Sequence, residues 1–492
     1  MNVFSKINQV IFPGSKEYPR VGAGKMMLLG LQHAFAMSCA TILVPLLTGL
    51  DVGVALFAAG LGTIIFHLCT GGRMPTFLGS SFAFIAALQA VIGKDPATQA
   101  DNIPKALGGI IVAGLFYVVL SLLIRLFGSR FIDRLFPPVV RGVGIAIIGL
   151  NLAGSAINNI QAQYGPDGST LIPVFGQLED ASGQVIATYS MPAYIWSWVI
   201  AAAVLLLAVL LSSYGKGMVK MSSIVIALAT GYVVTLILTK TGIAPVELMN
   251  FEGLAAQGKG MARGWFALPN FVLPEFDLGA IAMIAPIAIV TCVEHVGDVY
   301  ANGSVVGRNF TKDPGLHRTM LGDGLATIAA GLVGGPPNTT YSENTAVLAA
   351  TGNYNPASLR VAAVIAIAIS FFGKAIGVVE TVPTCVLGGA CIVLYGMISS
   401  VGLRTLVENH VDFTQNRNLC IAAVMLVLAI GGAVIGGAVF SVSGIGLGIL
   451  AGILLNLILP EPKKPEAGMI AHGVDDDGID ENPDEERLSH KK

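Results

Sequence analysis

The 492-residue chain carries 12% charged residues against 54% hydrophobic ones, with 60 glycines. Soluble domains carry about 25% charge, so this composition excludes an ordinary soluble enzyme, a disordered chain and a nucleic-acid binder with a broad basic face. It points instead to a bilayer, where a spanning helix needs roughly 20 apolar residues. The net charge of −2 hides an asymmetry. Residues 461–492 hold 10 of the 30 acids and 5 of the 28 bases, which leaves 20 acids and 23 bases in the rest. That acidic tail has no apolar periodicity and reads as a solvated, disordered, cytoplasmic segment.

After a polar N-terminus, 1–24, that lacks the apolar core of a signal peptide, about 14 apolar segments follow one another. They lie near 25–48, 53–70, 75–93, 107–127, 138–158, 192–214, 221–240, 279–302, 317–334, 338–352, 357–375, 382–400, 417–436 and 442–460. Segments three and ten are the weakest as helices. Gly71-Gly72-Arg73-Met74-Pro75 opens one and Gly334-Gly335-Pro336-Pro337-Asn338 the other. With the N-terminus inside, 17 Lys/Arg of the body fall on the cytoplasmic side and six on the outer side: Lys94, Lys105, Lys240, Lys259, Arg263 and Lys374. That bias supports an even span count with both termini cytoplasmic. Six cysteines (Cys39, Cys69, Cys292, Cys385, Cys391, Cys420) all sit in apolar runs without a C-x-x-C pair. They read as packing residues.

An internal repeat is visible. Pro137-x-x-Val140-x-Gly142 opens segment five and Pro383-x-x-Val386-x-Gly388 opens segment twelve. Segment three carries Pro75 with Ser81-Phe82; segment ten carries Pro336 with Ser342-Glu343. Both matches offset the segments by seven. Seven is odd, so the second half enters the membrane from the opposite side, as in inverted-repeat transporters whose broken helices meet near the midplane. The expected organisation is a first seven-span repeat over 25–240, an extracellular connection over 241–278 and a second repeat over 279–460.

Four carboxylates fall inside or at the edge of apolar spans: Glu294, Asp298, Asp323 and Glu343. An intramembrane acid costs at least about 2.5 kcal/mol on insertion scales and marks a functional candidate by default. Glu294 and Asp298, four apart, share one helix face. Two like charges there resist joint ionisation, which makes them proton-coupling candidates. His295, one position round the helix, reads as a packing histidine. With one local His, no H-E-x-x-H pattern and no cysteine cluster, no metal site or cofactor is expected.

Pro336-Pro337 forbids a regular helix, so a helix restarts near Ser342 and places Glu343 in its first turn. Free N–H groups point outward there. Ser81 and Phe82 occupy the corresponding restart in segment three. Two half-helix N-termini would offer donors from the backbone at Phe82 and Ser342, the acids Glu294 and Glu343 would offer acceptors, and Phe82 an aromatic face. That inventory suits a small, flat, neutral ligand with N–H and C=O groups on its rim, such as a nucleobase. An inorganic anion would be attracted by the helix ends but repelled by the acids. His33, in the first span, is a supporting candidate for proton coupling or a satisfied core histidine.

These residues resemble the nucleobase–cation symporter family that contains uracil permeases and the nucleobase–ascorbate transporters. The resemblance covers about residues 25–460. Gln32-His33 is similar to the family's first-span motif and Leu78-Gly79-Ser80-Ser81-Phe82-Ala83-Phe84 to its third-span segment. Glu294-His295-Val296-Gly297-Asp298 matches span eight, Asp313-Pro314-Gly315-Leu316-His317-Arg318 the loop after it, and Asn338-Thr-Thr-Tyr-Ser-Glu343-Asn344 span ten.

The resemblance implies an all-α polytopic membrane protein of 14 spans in a seven-plus-seven inverted repeat, with short strands in spans three and ten. Spans 1–4 and 8–11 form a core domain and spans 5–7 and 12–14 a gate. It also implies a homodimer in the plasma membrane and a secondary active transporter that moves core against gate. The substrate-binding set is then Phe82, Ser81, Glu294, Tyr341, Ser342 and Glu343, with Asn344, Asp323, Tyr395 and Thr351 in support. The span-ten signature runs from Glu343-Asn344 to Thr351, with Ala346 where the family has Gly. Glu at its head resembles the uracil branch. Asp298 and Asp323 are shared with purine carriers, which keeps xanthine and urate as alternatives. An anion transporter or channel on the same fold, and a membrane-embedded enzyme, are the readings of other classes. The leading expectation is proton-coupled uracil import.

Overall fold

A computed structural model describes residues 12–19, 21–93, 96–128, 134–164, 171–179, 182–245, 248–249, 263–436, 441–442 and 444–460. The acidic tail, the first eleven residues and residues 250–262 of the connection lie outside the described residues. The molecule is mostly helical. Eight described helices are long and apolar enough to cross a membrane, nine if one bent pair is counted as a span. It is a multi-pass membrane protein.

In chain order, α1 (Ala23–Thr48) and α2 (Val52–Cys69) are joined by a tight corner. Gly49 takes a left-handed φ of 83° to end α1, and Asp51 caps α2 by accepting from the Val54 N–H at 2.9 Å. Strand β1 (Leu78–Ser80), a 3-10 turn at Phe82–Phe84 and the half-helix α3 (Ile85–Ile92) follow, then α4 (Pro96–Phe127) and α5 (Pro138–Gln161). The cation-free loop after α5 forms two small hairpins: β2 (Gln163–Tyr164) with β3 (Leu171–Ile172), and β4 (Gln177–Glu179) with β5 (Val185–Thr188). Helices α6 (Met191–Tyr214) and α7 (Ser223–Lys240) complete the first half.

The second half begins with α8 (Leu278–Ile284) and α9 (Ile287–Val306), which act as one span with a break at Ala285-Pro286. Then come α10 (Leu316–Val333), strand β6 (Asn338–Thr340), half-helix α11 (Ser342–Thr351) and the pair α12 (Ala357–Ser370) and α13 (Gly373–Glu380), bent by 83°. The chain closes with α14 (Thr384–Glu408), α15 (Asn416–Ile430), the hairpin of β7 (Ile435–Gly436) with β8 (Ser441–Val442), and α16 (Gly444–Ile458). The expected helical stretch to 436 therefore stops at Ile430, because Gly431-Gly432 turns the chain and Gly432 has φ 66°. The segment read as 357–375 is broken where Phe371 and Phe372 leave the helix.

The helices sort into two groups by packing. Helices α1, α2, α4, α9, α10, α11 and α12 pack among themselves, and so do α5, α6, α7, α14, α15 and α16. In the second group α5 and α14 approach closely enough that the same contact is made twice. A side chain at Gly142 would press on Leu406 and the Gly402 carbonyl; one at Gly388 would press on Ile160 and the Ala156 carbonyl. These are the glycines of the two matched Pro-x-x-Val-x-Gly motifs, each following an extended proline, Pro137 or Pro383.

The first group is tied across both ends by non-helical chain. Arg263 donates to Glu380 (Nε to Oε2 at 3.0 Å, Nη2 to Oε1 at 2.7 Å) and to Asp51 Oδ2 at 2.6 Å. The chain then runs over Phe371, through the Ala267 N–H to its carbonyl, and reaches the Pro104 carbonyl through the Glu275 N–H. At the other end Phe12–Pro19 lies on the ends of α2, α9 and α12. The Arg360 guanidinium stacks on the Phe12 ring at 4.2 Å, and Arg308 stacks on Tyr18 at 4.6 Å. Tyr18 donates to the Arg73 carbonyl at 2.6 Å.

At the centre β1 and β6 pair antiparallel, Leu78 with Thr340, Gly79 with Thr339 and Ser80 with Asn338. The ladder is extended at each end by a matching bond, Ser81 N–H to Pro337 C=O at 2.9 Å and Tyr341 N–H to Phe77 C=O at 3.0 Å. This register makes Ser81 the counterpart of Tyr341, and Phe82 that of Ser342. Matching Ser81 to Ser342, as the motifs suggest, is one residue out of step.

The Tyr341 ring lies over Gly79, where an added Cβ would sit 2.5 Å from ring carbons. Gly79→Ala is therefore expected to destabilise the detergent-purified protein by about 1–3 kcal/mol through overpacking. Tyr341→Phe removes only the hydroxyl's bonds and should cost about 1 kcal/mol. Thermal unfolding checks the order; a Gly79→Ala variant as stable as the parent would contradict the close approach.

Candidate functional site

The strand pair sets two helix starts side by side. Helix α9 packs directly against α11, β6 and the turn at Phe82. It thus brings the acid-bearing face of span eight to both breaks. Glu294 and Asp298 are half-buried on α9; Ser342 and Glu343 are accessible in the first turn of α11. Glu343 and Asp298 both lie within electrostatic reach of Glu294. Among the described residues none of these three acids forms an ion pair with Lys or Arg. An accessible acid at a helix N-terminus, without a cation partner, retains acceptor capacity for a ligand beyond the bond to its own backbone N–H.

Asp298 is held in place. The Thr340 hydroxyl, from β6, donates to its Oδ2 at 2.7 Å. Thr340 carries no functional signal in the sequence beyond its place in the Asn-Thr-Thr run. The strand pleat turns it toward α9.

Phe82 is half-buried and meets Tyr395 of α14 edge to face, with ring centroids 6.4 Å apart and planes at 77°. This is a direct contact between the two helix groups at the site. Tyr395 itself is buried, with its hydroxyl against the Cys391 thiol. The Tyr395 carbonyl stands where a side chain at Gly149 of α5 would be. Close helix packing thus fixes the ring that faces Phe82.

Other candidate residues serve the scaffold around these acids. The Tyr341 hydroxyl donates to the Ser80 carbonyl at 2.9 Å and lies 3.2 Å from the Thr41 hydroxyl, so its side chain clamps the strand pair. Ser81 is fully buried; its N–H belongs to the ladder and its hydroxyl has no partner among the described residues. Asn344 donates through Nδ2 to the His33 carbonyl at 3.1 Å and lies 3.2 Å from His33 Nδ1. His33 therefore touches the residue next to Glu343 and does not reach the acids of α9 directly. Thr351 donates to the Val347 carbonyl at 2.8 Å and accepts from Asn353 N–H, closing the far end of α11.

Asp323 lies in mid-helix on α10 and is fully buried, not near a helix end. Its Oδ2 is 3.0 Å from His295 Nδ1, and His295 Nε2 is 3.1 Å from the Thr319 hydroxyl. The reading of His295 as a packing residue thus misses a carboxylate partner on the next span. No sequence spacing could have shown it, because the two residues sit on different helices. His67 and Arg360 form a second such pair, Nη1 to Nδ1 at 3.2 Å, with His67 Nε2 donating to the Thr76 carbonyl.

The chain matches the model of a permease family over residues 24–436. It is 40% identical over 439 residues to a probable uracil permease of Haemophilus influenzae, covering 89% of this chain and 95% of that protein. It is 41% identical over 448 residues to the uracil permease of Bacillus caldolyticus, covering 90% and 93%. Among solved structures it is similar to the transmembrane domain of the cyanobacterial bicarbonate transporter BicA. There the TM-score is 0.56 at 14% identity, over 89% of this chain and 99% of that one. It is also similar to the murine anion transporter Slc26a9 in its inward-facing state, with TM-score 0.60 at 15% identity over 93% and 72%. At such identities the likeness to solved structures concerns the fold alone. The unbroken match from the first span to the hairpin before the last makes this chain a permease, not an enzyme, and it belongs to the nucleobase–ascorbate transporter family.

Proposed function

We propose that this permease imports a nucleobase, uracil, across the plasma membrane together with protons. The observation that carries the reading is Glu343: an accessible carboxylate in the first turn of a half-helix, within electrostatic reach of Glu294, with no cation partner among the described residues. Glu343 accepts a ring N–H of the base and Glu294 binds its opposite edge. The first N–H groups of the two half-helices, at Phe82 and Ser342, have no partner within their own helices and donate to the base's carbonyls. Phe82 covers the ring and Tyr395 closes the aromatic contact from the other helix group. The names of the two relatives support uracil as the base.

Coupling follows from charge. Three carboxylates within electrostatic reach of one another repel. A proton taken up by the Glu294–Asp298 pair neutralises part of that charge as the site crosses the membrane. The group holding α9–α11 moves as the core, and the group built on α5 and α14 stays as the gate. The span organisation is 14 in two inverted repeats, 25–240 and 279–460. The equivalent contacts of Gly142 and Gly388 and the near-symmetric strand ladder support it. Excess Lys/Arg on one side supports termini in the cytoplasm, and the family resemblance supports a homodimer.

A xanthine or urate carrier is the second reading, because Asp298 and Asp323 are both acids. The likeness to a bicarbonate transporter and an anion transporter raises a third; the unpaired acids of the opening disfavour an inorganic anion there.

Proteoliposomes loaded at high internal pH should accumulate radiolabelled uracil faster under an inward proton gradient; equal uptake with and without the gradient would remove the coupling. Excess xanthine that abolishes uracil uptake would move the substrate to the purines, and sulfate or bicarbonate flux would revive the anion reading. Glu343→Gln replaces charge-assisted bonds, each worth about 1.5–3 kcal/mol, and should weaken uracil binding at least about tenfold. Unchanged binding in that variant would displace Glu343 from the site.

A further inference from the structure

We propose that residues 263–278, which lead into the second half, form an interfacial anchor: an apolar strap that seats the first helix group in the headgroup layer of the bilayer. The partner is the lipid surface. With the termini read as cytoplasmic, that surface is the outer leaflet. Six large apolar side chains of the strap, Trp265, Phe266, Leu268, Leu273, Phe276 and Leu278, are each between 66% and 82% exposed. An exposed apolar run of this size marks a surface that meets a membrane or another protein. Trp and Phe are also the side chains that settle where hydrocarbon meets water.

The contacts of the strap set its depth. Helix α13 is bent by 83° from α12, so where α12 crosses the bilayer, α13 runs along its plane. The strap lies on that bend. Arg263 holds Glu380 at the end of α13, and a side chain at Gly373 would press on the Gly264 carbonyl. Trp265 and Phe266 both rest on the Phe372 ring, with centroids 5.9 Å away in each case. Farther along, Val272 closes on Gly334 at the end of α10, where an added Cβ would sit 2.8 Å from its backbone nitrogen. The Glu275 N–H then donates to the Pro104 carbonyl at 2.8 Å, and a side chain at Gly108 would collide with the Glu275 carbonyl. At this level α4 passes from Asp101 and Lys105 into the apolar run that starts at Ala106. The strap therefore follows a spanning helix where headgroups give way to hydrocarbon.

Charge and backbone fit that level. The one cation of the strap, Arg263, is turned inward onto Asp51 and Glu380, so the lipid contact is apolar and needs no anionic headgroup. Irregular chain at membrane depth must have its backbone satisfied. Pro269 and Pro274 carry no N–H, and the N–H groups of Ala267, Phe271 and Glu275 donate to the carbonyls of Phe371, Pro269 and Pro104. A second copy of the chain is the alternative cover. Lipid is favoured because the exposed side chains farther down α4, Leu115, Phe116, Val119 and Leu122, are of the same kind, so the strap continues a membrane-facing surface. Each tie of the strap runs to the first helix group or to its bent end α13. The anchor thus holds the helices that carry the strand pair and leaves the other group free of it.

The test uses the full-length chain in phosphatidylcholine nanodiscs, which open both faces to solution, so the outcome does not depend on which leaflet is external. The chain has three tryptophans, and Trp196→Phe with Trp198→Phe leaves Trp265 alone. Phosphatidylcholine brominated near the headgroup end of its acyl chains should remove most of the Trp265 emission, and aqueous iodide should remove little. Quenching by iodide without quenching by the bromolipid would place the strap in water. Quenching by neither would mean that protein covers it, as a second copy would. Either result overturns the anchor. Should the doubly substituted chain fail to fold, the unaltered chain decides. Phosphatidylcholine with a photoreactive diazirine on its acyl chain should leave adducts on the peptide 263–278; adducts on the spans but none there would overturn the anchor. These readouts involve no uracil, so failure of the substrate reading leaves the anchor standing.

Discussion

Everything at the centre of this molecule depends on how two breaks in membrane helices satisfy their backbone. In hydrocarbon an unpaired N–H or C=O costs several kcal/mol, so irregular chain survives only where protein supplies the partners. Here each break supplies the other. Residues 78–80 pair with 338–340, and the bonds from Ser81 to Pro337 and from Tyr341 to Phe77 extend the ladder at both ends. Side chains finish the work: the Thr63 hydroxyl serves the Leu78 N–H at 2.9 Å, and Asn338 Nδ2 serves the Ala58 carbonyl at 3.0 Å. Once the ladder is formed, the two half-helices must begin beside each other. Glu343, Phe82 and Thr340 follow from that placement.

The rest of the architecture separates what must stay together from what can shift. The helices that carry the ladder are bound at one end by Arg263, shared between Asp51 and Glu380, and at the other by the Phe12–Pro19 segment under Arg360 and Arg308. Arg73 adds contacts to Glu17 and Asp313. These ties lie within one helix group. The other group is held by the close approach of α5 and α14, where glycines let one helix touch the other's carbonyls. Between the groups at the site the aromatic pair Phe82–Tyr395 is a contact of two rings, without an ion pair to break. That boundary is held by ring contact alone, while the ladder and its straps keep the two half-helix starts in register.

The placement of charge follows the same division. Acids with a cation partner, such as Asp51 and Glu380, anchor the ends. Acids without one, Glu294, Asp298 and Glu343, gather beside the two half-helix starts. Asp323 stands between these classes, since its partner His295 is a cation only when it holds a proton.

Several of these features were legible in the amino-acid order. Low charge and apolar run length identified the membrane, because no soluble core could hide so much apolar surface. The Gly-Gly and Pro-Pro clusters marked both broken segments, because backbone chemistry is local. Scarcity picked out Glu294, Asp298, Asp323 and Glu343, because a bilayer penalises a buried acid wherever it sits, and their motifs sufficed to recognise the family. Helical period also placed Glu294 and Asp298 on one face. What a face meets is another matter. That Thr340 would reach Asp298, Asn344 would reach His33, and His295 would reach Asp323 was decided only when separate helices packed, since no periodicity relates residues on different elements. The equivalence of Ser81 and Tyr341 across the ladder, one residue away from the motif match, was set by the hydrogen-bond register of the strands. Local chemistry determined which residues this protein could use; tertiary packing decided which of them stay accessible beside the helix breaks and which are buried in holding the breaks together.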